Sequence, residues 1–586
     1  MPLAPQPGPR FQPARLLVWL LLAVSAAFYA LHFLHLTADF PNNSPWVDWS
    51  KYTDEGWYSD AAVRHYLFGH WYFKGDFNPA VALPVWPAIE LVWFRLAGVS
   101  LASARSLTLG VFALTLVTFY RLVARHTRPH RSPDQPHSGP PLAAALAVLF
   151  LCTSPFLFAF ERMAILEPLL IALTALSLLA ASHLHPLSLR RHPERRAQPG
   201  EIRRHPERRA ETAVEGSLYS ALRSTLYALP SVFLAILLPL AVLTKTTAIF
   251  LFPSVFYMVW ARAGYRLRPF LRLALPPALG GVALWCAYFF LFVRPHYLAD
   301  YRYLFSANAY TGIELDPLAT VVLNTLGDGL WMGHVLYPAL FVAAALTLFW
   351  RPRLLTNPLV PALWLWIGGY FFFLAYHNNL QPRYYLVVAV PITAFVAIAI
   401  DAFRHPATMP AATTLGGRVV FSTLATLVVL AIALPDALKQ IDFLRHPTYD
   451  FEAAAQAIKQ IVLADPTHSH IILSISGSDL TLMTGLPSID DDFGTASLDD
   501  RVLQYRPGWY AAWNDVEDDK ADSLTPVDDL QRVAAFPAMD DPDRNLLILY
   551  RLDPKAPTAH VHHARRTPKP LVTKLGQQPS VDQLEH

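Results

Sequence analysis

The stretch LLVWLLLAVSAAFYALHFLHL, residues 16–36, decides the fold class, because it is apolar over nearly its whole length. An α-helix needs about 20 consecutive, predominantly apolar residues to cross the hydrocarbon core of a bilayer. Arg10 and Arg15 precede the stretch, and basic residues beside a span favour the cytoplasmic side. A cleaved signal peptide is the alternative, since the Val-Ser-Ala sequence at 24–26 resembles a cleavage site. The apolar sequence continues well beyond that point, so we expect an uncleaved anchor with a cytoplasmic N-terminus.

Further apolar runs of spanning length follow along the chain, and with the first they predict an α-helical polytopic membrane protein of about 11 transmembrane helices. Hydrophobic residues make up 54% of the chain and charged residues only 16%, with a mean hydropathy of +0.30. A soluble chain usually carries about 25% charged residues. These values exclude a soluble enzyme, a secreted disulfide scaffold and an intrinsically disordered protein. The further runs are 106–122, 141–159, 164–182, 226–243, 247–261, 272–293, 334–350, 358–376, 384–400 and 418–435.

The basic residues indicate the orientation of the chain in the membrane. An odd number of spans places the two ends on opposite faces, and the loops then assigned to the cytoplasm are rich in arginine, as the positive-inside rule requires. We therefore predict a multi-pass protein of the cell (inner) membrane, with a cytoplasmic N-terminus and an extracytoplasmic C-terminal domain. The arginines concerned are Arg121, Arg125, Arg128, Arg131, those of 190–209, Arg262, Arg266, Arg268, Arg272, Arg351, Arg353, Arg404 and Arg418.

Two segments outside the spans are predicted to fold. The first extracytoplasmic loop, 37–105, is rich in Trp and Tyr, which favour the membrane interface, so it is expected to form interfacial helices. The transmembrane domain is assigned to 1–436, and from 437 the charge becomes ordinary. There FEAAAQAIKQIVLAD has helical periodicity, while HIILSI and NLLILYRL are typical of strands. Residues 437–555 are therefore predicted to form a small α/β soluble domain on the extracytoplasmic side.

Two other segments are predicted to be disordered. The sequence RHPERRA occurs at 191–197 and again at 204–210, inside a basic cytoplasmic loop assigned to 184–225. Low-complexity basic sequence without apolar positions cannot bury a core. Binding to anionic lipid head groups is the functional alternative for this loop. The polar tail 556–586 is the other disordered segment.

The first candidate for chemistry is the pair Asp54–Glu55, in YTDEGWYSDAAVRHYLFGHWYFKGDFNPA just beyond the first span. The surrounding Trp and Tyr residues create a partly desolvated setting, which favours protonation of a carboxylate and suits a general base. The alternative is that the two acids cap the start of an interfacial helix.

Three further candidates are ionisable residues at or inside predicted spans. Glu167 lies in ERMAILEPLL, and an ionisable group in an apolar helix marks a functional site by default. The alternative is an internal ion pair of Glu167 with Arg162 or Lys245. Lys245, in LTKTTAIF, and Arg383, in HNNLQPRYYLVVAVP, are cations suited to an anionic head group, or else snorkelling anchors at helix ends. The predicted topology brings all of these residues to one face of the membrane, which suits an anionic lipid-linked substrate and a polar acceptor.

In their order, these segments resemble a known family. One N-terminal span is followed by an aromatic loop opening with Asp-Glu, by Gly-Asp-Phe at 75–77 and by ALPVWPAIELVWFRLAG. The segments ARSLTLGVFALTLVTFYRL, ERMAILEPLL, LTKTTA and PRYYLVVAVP come next. Over about residues 15–400 the chain resembles the GT-C superfamily of polytopic glycosyltransferases. Within it the likeness is to family 39, which includes protein O-mannosyltransferases and lipid A aminoarabinose transferases.

The resemblance implies the reaction and its participants. A sugar would pass from a polyprenyl-phosphate donor to the hydroxyl of a lipid, polysaccharide or protein acceptor, with inversion, at the extracytoplasmic face. Some members use a divalent metal ion and some do not, and the sequence leaves this open. Besides the donor and the acceptor, membrane lipid is an expected partner and nucleic acid is not.

The resemblance also implies roles for individual residues. Asp54 would be the general base and Glu55 its partner, held by Arg105. Glu167, which with Asp54 and Glu55 makes up the predicted catalytic residues, falls where many members have an acidic residue. Lys245 and Arg383 would bind the lipid phosphate, and the other predicted substrate-binding residues are Arg105, Arg162 and Tyr384.

Two other classes of function remain as alternatives. A transporter or lipid flippase would place Glu167 and Lys245 on a substrate path, but such proteins often contain inverted repeats, and none is found in this sequence. A non-catalytic scaffold would have kept the fold and lost the activity.

Overall fold

The computed structural model describes residues 13–39, 43–44, 47–48, 54–127, 141–184, 228–307, 317–377, 381–404, 415–539 and 544–555. Nearly all of the predicted disordered loop 184–225, and the whole predicted tail 556–586, lie outside the described residues.

Helices dominate the described part of the chain. Those before the loop at 185–227 are α1 (Pro13–Leu31), α2 (Glu55–Phe68), α3 (Val85–Ala97), α4 (Leu101–Thr127), α5 (Leu142–Thr153), α6 (Pro155–Phe160) and α7 (Leu166–Ser182). The next are α8 (Ala228–Thr244), α9 (Phe252–Arg262), α10 (Leu267–Tyr288), α11 (Arg294–His296), α12 (Leu298–Ala307), α13 (Leu318–Asp328), α14 (Leu336–Trp350), α15 (Leu359–Tyr376), α16 (Leu386–Arg404) and α17 (Leu415–Arg445). The C-terminal ones are α18 (Asp450–Ala464), α19 (Gly477–Thr484), α20 (Leu498–Tyr505) and α21 (Asp518–Leu524).

The apolar helices make the chain a multi-pass membrane protein. Within the described ranges, five helical segments are long and apolar enough to cross a bilayer, namely α4, α10 with its continuation to His296, α15, α16 and the segment that starts in α17. The helices α13 and α14 form a sixth if the pair, bent by 114°, is one span, and α1, α5, α7 and α8 are apolar but shorter. A helix occupies each predicted run, but this count does not confirm the predicted number of eleven spans.

The run predicted as one span at 141–159 is divided into α5 and α6. Proline has no backbone N–H and cannot continue a helix from the preceding turn, so the chain breaks before Pro155. The hydroxyl of Ser154 then accepts a hydrogen bond from the backbone N–H of Leu157 at 3.3 Å and caps α6.

The apolar core of the membrane part lies around α5 and α16. The side chains of α16 are buried from Leu386 through Ala399, and those of α5 from Ala143 through Thr153. The helix α5 packs against α1, α4 and α16, while α7 packs against α4 and α9. A helix that is apolar on every side is expected where other helices surround it.

The first loop contains helices, as its aromatic sequence predicts, and α2 and α3 pack against each other there. The hydroxyl of Ser59 on α2 donates a hydrogen bond of 2.7 Å to a carboxylate oxygen of Glu90 on α3. Before these helices, the short strands β1 (Asn43–Ser44) and β2 (Val47–Asp48) pair antiparallel.

The C-terminal segment forms the predicted α/β domain around a five-stranded sheet. The sheet order is β4-β3-β5-β7-β6, in which β3 is parallel to β4 and β5, and β7 is antiparallel to β5 and β6. Alternate residues of β5 point to opposite faces, as a strand requires, and pack towards α18 and α19 on one face and α20 and α21 on the other. The helix predicted from FEAAAQAIKQIVLAD is α18, and the position 437, predicted as the boundary, falls inside α17. The strands are β3 (Ile472–Leu473), β4 (Ser488–Ile489), β5 (Trp509–Trp513), β6 (Asp528–Pro537) and β7 (Leu546–Pro554).

Candidate functional site

The two adjacent carboxylates at the start of α2 point to different partners. Asp54 occupies the N-cap position of α2, but its side chain makes no capping hydrogen bond. Instead it forms an ion pair with Arg383, which lies 329 positions later in the short helical turn before α16. Glu55, the first residue of α2, faces Arg105. The alternative considered from the sequence was that the two acids cap the helix, but neither side chain binds a backbone N–H of its first turn.

Glu55 is held in what we call the Glu55 clamp, formed with Arg105 and the backbone of Ala164. Arg105 Nε and Nη2 donate to the two carboxylate oxygens at 2.9 and 2.7 Å, in a bidentate pair. The backbone N–H of Ala164 donates to Glu55 Oε1 at 2.8 Å. The remaining Nη1 of Arg105 donates to the carbonyl oxygens of Leu36 and Ala38 at 2.8 and 2.7 Å. The pairing of Glu55 with Arg105 that the resemblance implied is therefore present, and it ties α2 to α4, to the chain after α1 and to the turn before α7.

The ion pair of Glu167 with Lys245 lies beside that of Asp54 with Arg383. Glu167, in the first turn of α7, is fully buried and pairs with Lys245, which follows the end of α8. The ammonium of Lys245 lies 4.2 Å from the centre of the Tyr384 ring, and the guanidinium of Arg383 lies 5.3 Å from the same ring. The ring of Tyr384 is thus in contact with both cations, which links the two pairs. We call Asp54, Glu167, Lys245 and Arg383 the inner ion-pair cluster.

Tyr58 completes this cluster, although it was not among the predicted site residues. It lies one turn after Asp54 on α2, and its backbone N–H donates to the Asp54 carbonyl at 3.1 Å. Burial raises the pKa of its hydroxyl well above the usual range, and the negative charge of Asp54 raises it further. The spacing of four residues from Asp54 was a usable signal for it.

Arg162 does not join the inner cluster. Its Nη2 donates to the carbonyl oxygens of Leu34, at 2.8 Å, and His35, at 2.5 Å, and its guanidinium lies over the Phe158 ring at 4.5 Å. These contacts attach the turn before α7 to the segment after α1. In the structure Arg162 thus anchors the turn that contains Ala164 of the Glu55 clamp, and its predicted contact with substrate stays a prediction.

The C-terminal domain reaches the start of α2, which the sequence did not indicate. Asp479 Oδ1 accepts a hydrogen bond of 2.7 Å from the backbone N–H of Gly56, and Trp57 Nε1 donates to the carbonyl of Ile475 at 3.1 Å. Asp479 is only 7% exposed. Burial raises its pKa well above the usual range, and the negative charges of Glu55 and Asp54 act in the same direction.

A second contact attaches the same domain to the first loop through the Gly-Asp-Phe motif at 75–77. Asp76 forms ion pairs at 3.1 Å with Arg64 of α2 and with Arg501 of α20, and it accepts a hydrogen bond from the backbone N–H of Asp490 at 3.0 Å. The backbone N–H of Ala496 donates to the Gly75 carbonyl at 2.9 Å. The motif therefore serves here to hold the C-terminal domain against α2.

The described residues give no clear place for a divalent metal ion. No group of three or more His, Cys, Asp or Glu side chains in the described ranges is arranged to hold one. Each predicted acid already has a cationic partner, since Asp54 pairs with Arg383, Glu55 with Arg105 and Glu167 with Lys245. The carboxylates that could serve as metal ligands are thus bound to side-chain cations.

The long apolar helices define a multi-pass membrane protein. Three buried ion pairs form a charged site at the start of α2, where the C-terminal domain also makes contact. No protein-family model and no curated protein sequence matches the chain.

Solved structures do match it. The crystal structure of ArnT from Cupriavidus metallidurans in the apo state has a TM-score of 0.56 at 15% identity, covering 92% of this chain and 98% of that one. The structure of the same protein bound to undecaprenyl phosphate has a TM-score of 0.55 with the same identity and coverage. The archaeal oligosaccharyltransferase AglB from Archaeoglobus fulgidus, in complex with an inhibitory peptide and a dolichol-phosphate, has a TM-score of 0.46 at 12% identity, covering 84% and 69%. The chain has the GT-C fold.

Proposed function

We propose that this protein is a membrane glycosyltransferase, which moves a sugar from a polyprenyl-phosphate donor to an acceptor hydroxyl with inversion. The inner ion-pair cluster is the observation that carries the proposal. It joins two acids and two cations from four separate parts of the chain, beside the start of α2. The fold likeness to ArnT, one structure of which is bound to undecaprenyl phosphate, supports the choice of donor.

Asp54 acts as the general base. The acceptor hydroxyl oxygen attacks the anomeric carbon, the bond from that carbon to the phosphate oxygen breaks on the opposite side, and the hydroxyl proton passes to Asp54. The products are the glycosylated acceptor with inverted configuration, the polyprenyl phosphate and a protonated Asp54. A positioned base of this kind contributes roughly 10²–10⁴-fold to the rate.

Arg383 links the proton transfer to the departure of the lipid phosphate. Before the reaction its positive charge is balanced by the Asp54 carboxylate. When Asp54 takes up the proton, that negative charge disappears, while the leaving phosphate gains negative charge. The guanidinium is then unbalanced at the moment when a nearby anion needs it, and such stabilisation is strong in a site that excludes water.

Lys245 and Tyr384 supply the second half of the donor site. Lys245 contacts Glu167 on one side and the Tyr384 ring on the other, so its ammonium is held in one place before the donor binds. Binding a phosphate there costs little reorganisation. Glu55 does not touch substrate in this mechanism; its clamp fixes the start of α2 and therefore the direction of Asp54.

The reaction takes place at the extracytoplasmic face of the cell membrane, with the N-terminus in the cytoplasm and the C-terminal domain outside. The acceptor is a lipid, a polysaccharide or a protein. The C-terminal domain lies against α2 beside Asp54, so an acceptor reaches the base past this domain.

The test is release of free polyprenyl phosphate by purified protein in lipid, with a panel of undecaprenyl-phosphate sugars and a membrane extract as the source of acceptor. Wild type is compared with Asp54→Asn, which keeps the shape of the side chain but cannot accept the proton. The control is Asp442→Asn, because the Asp442 side chain is 78% exposed on α17. We expect sugar-dependent release by wild type and the control, and a loss of at least 100-fold in Asp54→Asn.

Two results would contradict the proposal. Release that is unchanged in Asp54→Asn removes Asp54 from the role of base. Movement of labelled undecaprenyl phosphate across the bilayer without release from any sugar donor would favour the lipid flippase instead.

A further inference from the structure

At the start of α2, the residue at the N-cap position and the residue that caps the helix are not the same. An aspartate at the N-cap usually accepts a hydrogen bond from the N–H of the second or third helical residue. Asp54 stands at that position, with φ −76° and ψ 24°, yet its carboxylate makes no such bond and pairs with Arg383. The first turn of α2 therefore needs another acceptor.

That acceptor comes from the C-terminal domain. Gly56 is the second residue of α2, and its N–H donates to Asp479 Oδ1 at 2.7 Å, across a separation of 423 positions. Asp479 thus satisfies the N–H that an N-cap side chain would ordinarily bind. Burying a backbone N–H without an acceptor costs about as much as a lost hydrogen bond, so the contact is not dispensable to the helix.

The contact is close and specific. A Cβ atom at Gly56 would meet the backbone nitrogen of Asp479 at 2.2 Å and the carbonyl carbon of Ser478 at 2.4 Å, so only glycine fits between α2 and α19. The next residue, Trp57, donates from its indole to the Ile475 carbonyl at 3.1 Å. Two successive residues of α2 are therefore bound to one short segment of the C-terminal domain.

We propose that Asp479 is a positioning residue for the general base: by capping α2 in place of Asp54, it leaves the Asp54 carboxylate directed at Arg383 and the acceptor. This inference rests on the proposed function. Without Asp479, the Asp54 side chain would be drawn to the unsatisfied N–H groups of its own helix, away from Arg383. The C-terminal domain is then a working part of the transferase site.

The surroundings of Asp479 fit this task. Burial raises the pKa of its carboxyl group, and the negative charges of Glu55 and Asp54 raise it further. What the Gly56 N–H needs from Asp479 is a single acceptor oxygen, Oδ1. An asparagine side chain presents the same oxygen in the same position, and it is therefore the matched control.

The experiment compares Asp479→Leu, which removes the acceptor at similar volume, with Asp479→Asn, which keeps it. The first readout needs no substrate. Hydrogen exchange measured on the peptide that contains residues 54–60 is expected to accelerate at least fivefold in Asp479→Leu and to stay at the wild-type rate in Asp479→Asn. Asp479→Ala serves in the same comparison if the leucine variant does not fold.

The second readout is transfer from the undecaprenyl-phosphate sugar that wild type uses. We expect kcat to fall about tenfold in Asp479→Leu with KM for the donor unchanged, and both to stay near wild type in Asp479→Asn. A general structural defect would instead lower kcat in both variants, or change KM together with kcat.

Two outcomes would overturn the inference while the proposed function stands. One is unchanged exchange in Asp479→Leu; the other is equal activity of the leucine and asparagine variants, with Asp54→Asn inactive. If Asp54→Asn is fully active, the proposed function itself has failed, and the positioning role with it. In that case the hydrogen-exchange measurement still shows whether Asp479 caps α2.

Discussion

The buried pair of Glu167 and Lys245 provides the sharpest test of the inner cluster, through the substitution Lys245→Met. The Lys245 side chain is 11% exposed and that of Glu167 is fully buried, and Glu167 Oε2 has no hydrogen-bond partner among the described residues. Replacing the lysine by an apolar residue of similar length therefore leaves a carboxylate in an apolar place without its cation. Breaking a buried pair in this way typically costs about 3–5 kcal/mol.

The double variant Glu167→Gln/Lys245→Met separates stability from chemistry. It removes both charges, and replacement of a whole buried ion pair is often close to neutral for stability. We expect the single variant to unfold about 5 °C or more below wild type, since ~1 kcal/mol corresponds to roughly 2 °C in a large domain. The double variant should recover most of this loss. Neither should transfer sugar well, because removing one donor to a developing anion costs roughly 10²–10³ in rate.

The assay is thermal unfolding of the three proteins in one detergent, followed by release of polyprenyl phosphate. Two results would refute the reasoning. If the single and the double variant unfold at the same temperature, the pair does not carry a buried charge. If the double variant regains activity together with stability, Lys245 supports the fold and does not act on the phosphate.

Three further predictions concern the Glu55 clamp, the contact at Gly56 and the C-terminal domain. Arg105→Lys replaces the bidentate contact with Glu55 by a single one. We expect kcat to fall at least tenfold with little change in KM for the donor, because only the direction of Glu55 and its helix changes. An unchanged kcat would contradict the role given to the Glu55 clamp. Gly56→Ala should detach the C-terminal domain, since the added Cβ meets the Asp479 backbone at 2.2 Å, and limited proteolysis should then release that domain faster than in wild type. Burial raises the pKa of Asp491 to about 7, so its carboxyl group binds a proton more tightly in the folded state than in the unfolded state. The stability that this carboxyl group contributes is therefore lost as pH rises from about 4 to 7. Asp491→Asn should therefore raise the unfolding temperature at pH 8 and not at pH 4, and an equal effect at both values would show that this carboxyl group does not titrate in that range.

The sequence predicted the members of the inner cluster but only part of their pairing. Glu167 stood out because an ionisable group is costly inside an apolar span, Asp54 because of its aromatic setting, and Lys245 and Arg383 because they are cations at span ends. The pair of Glu167 with Lys245 was one of two alternatives, and the pair of Asp54 with Arg383 was not predicted. Which acid meets which cation depends on helix packing, which periodicity does not encode. Arg162 carried the same signal, yet it binds backbone carbonyls in the turn before α7. A buried arginine needs hydrogen-bond acceptors, and backbone carbonyl oxygens provide them as well as a substrate does.

Asp479 shows what sequence reasoning missed. Its segment, Ser-Gly-Ser-Asp, has the composition of a loop, and the structure forms the helix α19 there. The residue matters only through a contact with Gly56 across 423 positions, and no local pattern carries that information. Gly56 itself was a signal, since glycine is unfavourable inside a helix and often marks a place where another backbone comes close. Interpreting Gly56 in this way required knowing that the C-terminal domain lies against α2.

The position of the base at a helix start explains why the C-terminal domain takes part in the site. The N-terminus of α2 attracts negative charge, and an aspartate there gains most by binding its own helix. A base that satisfies its helix cannot also turn to an acceptor hydroxyl, so an N-cap base is useful only where another residue caps in its place. Glu55, next in sequence, is held by Arg105 and Ala164 and is not available for this. Asp479 is therefore the group that allows Asp54 to pair with Arg383, and a membrane domain without the C-terminal domain would keep every residue of the inner cluster and still lose the geometry of its base.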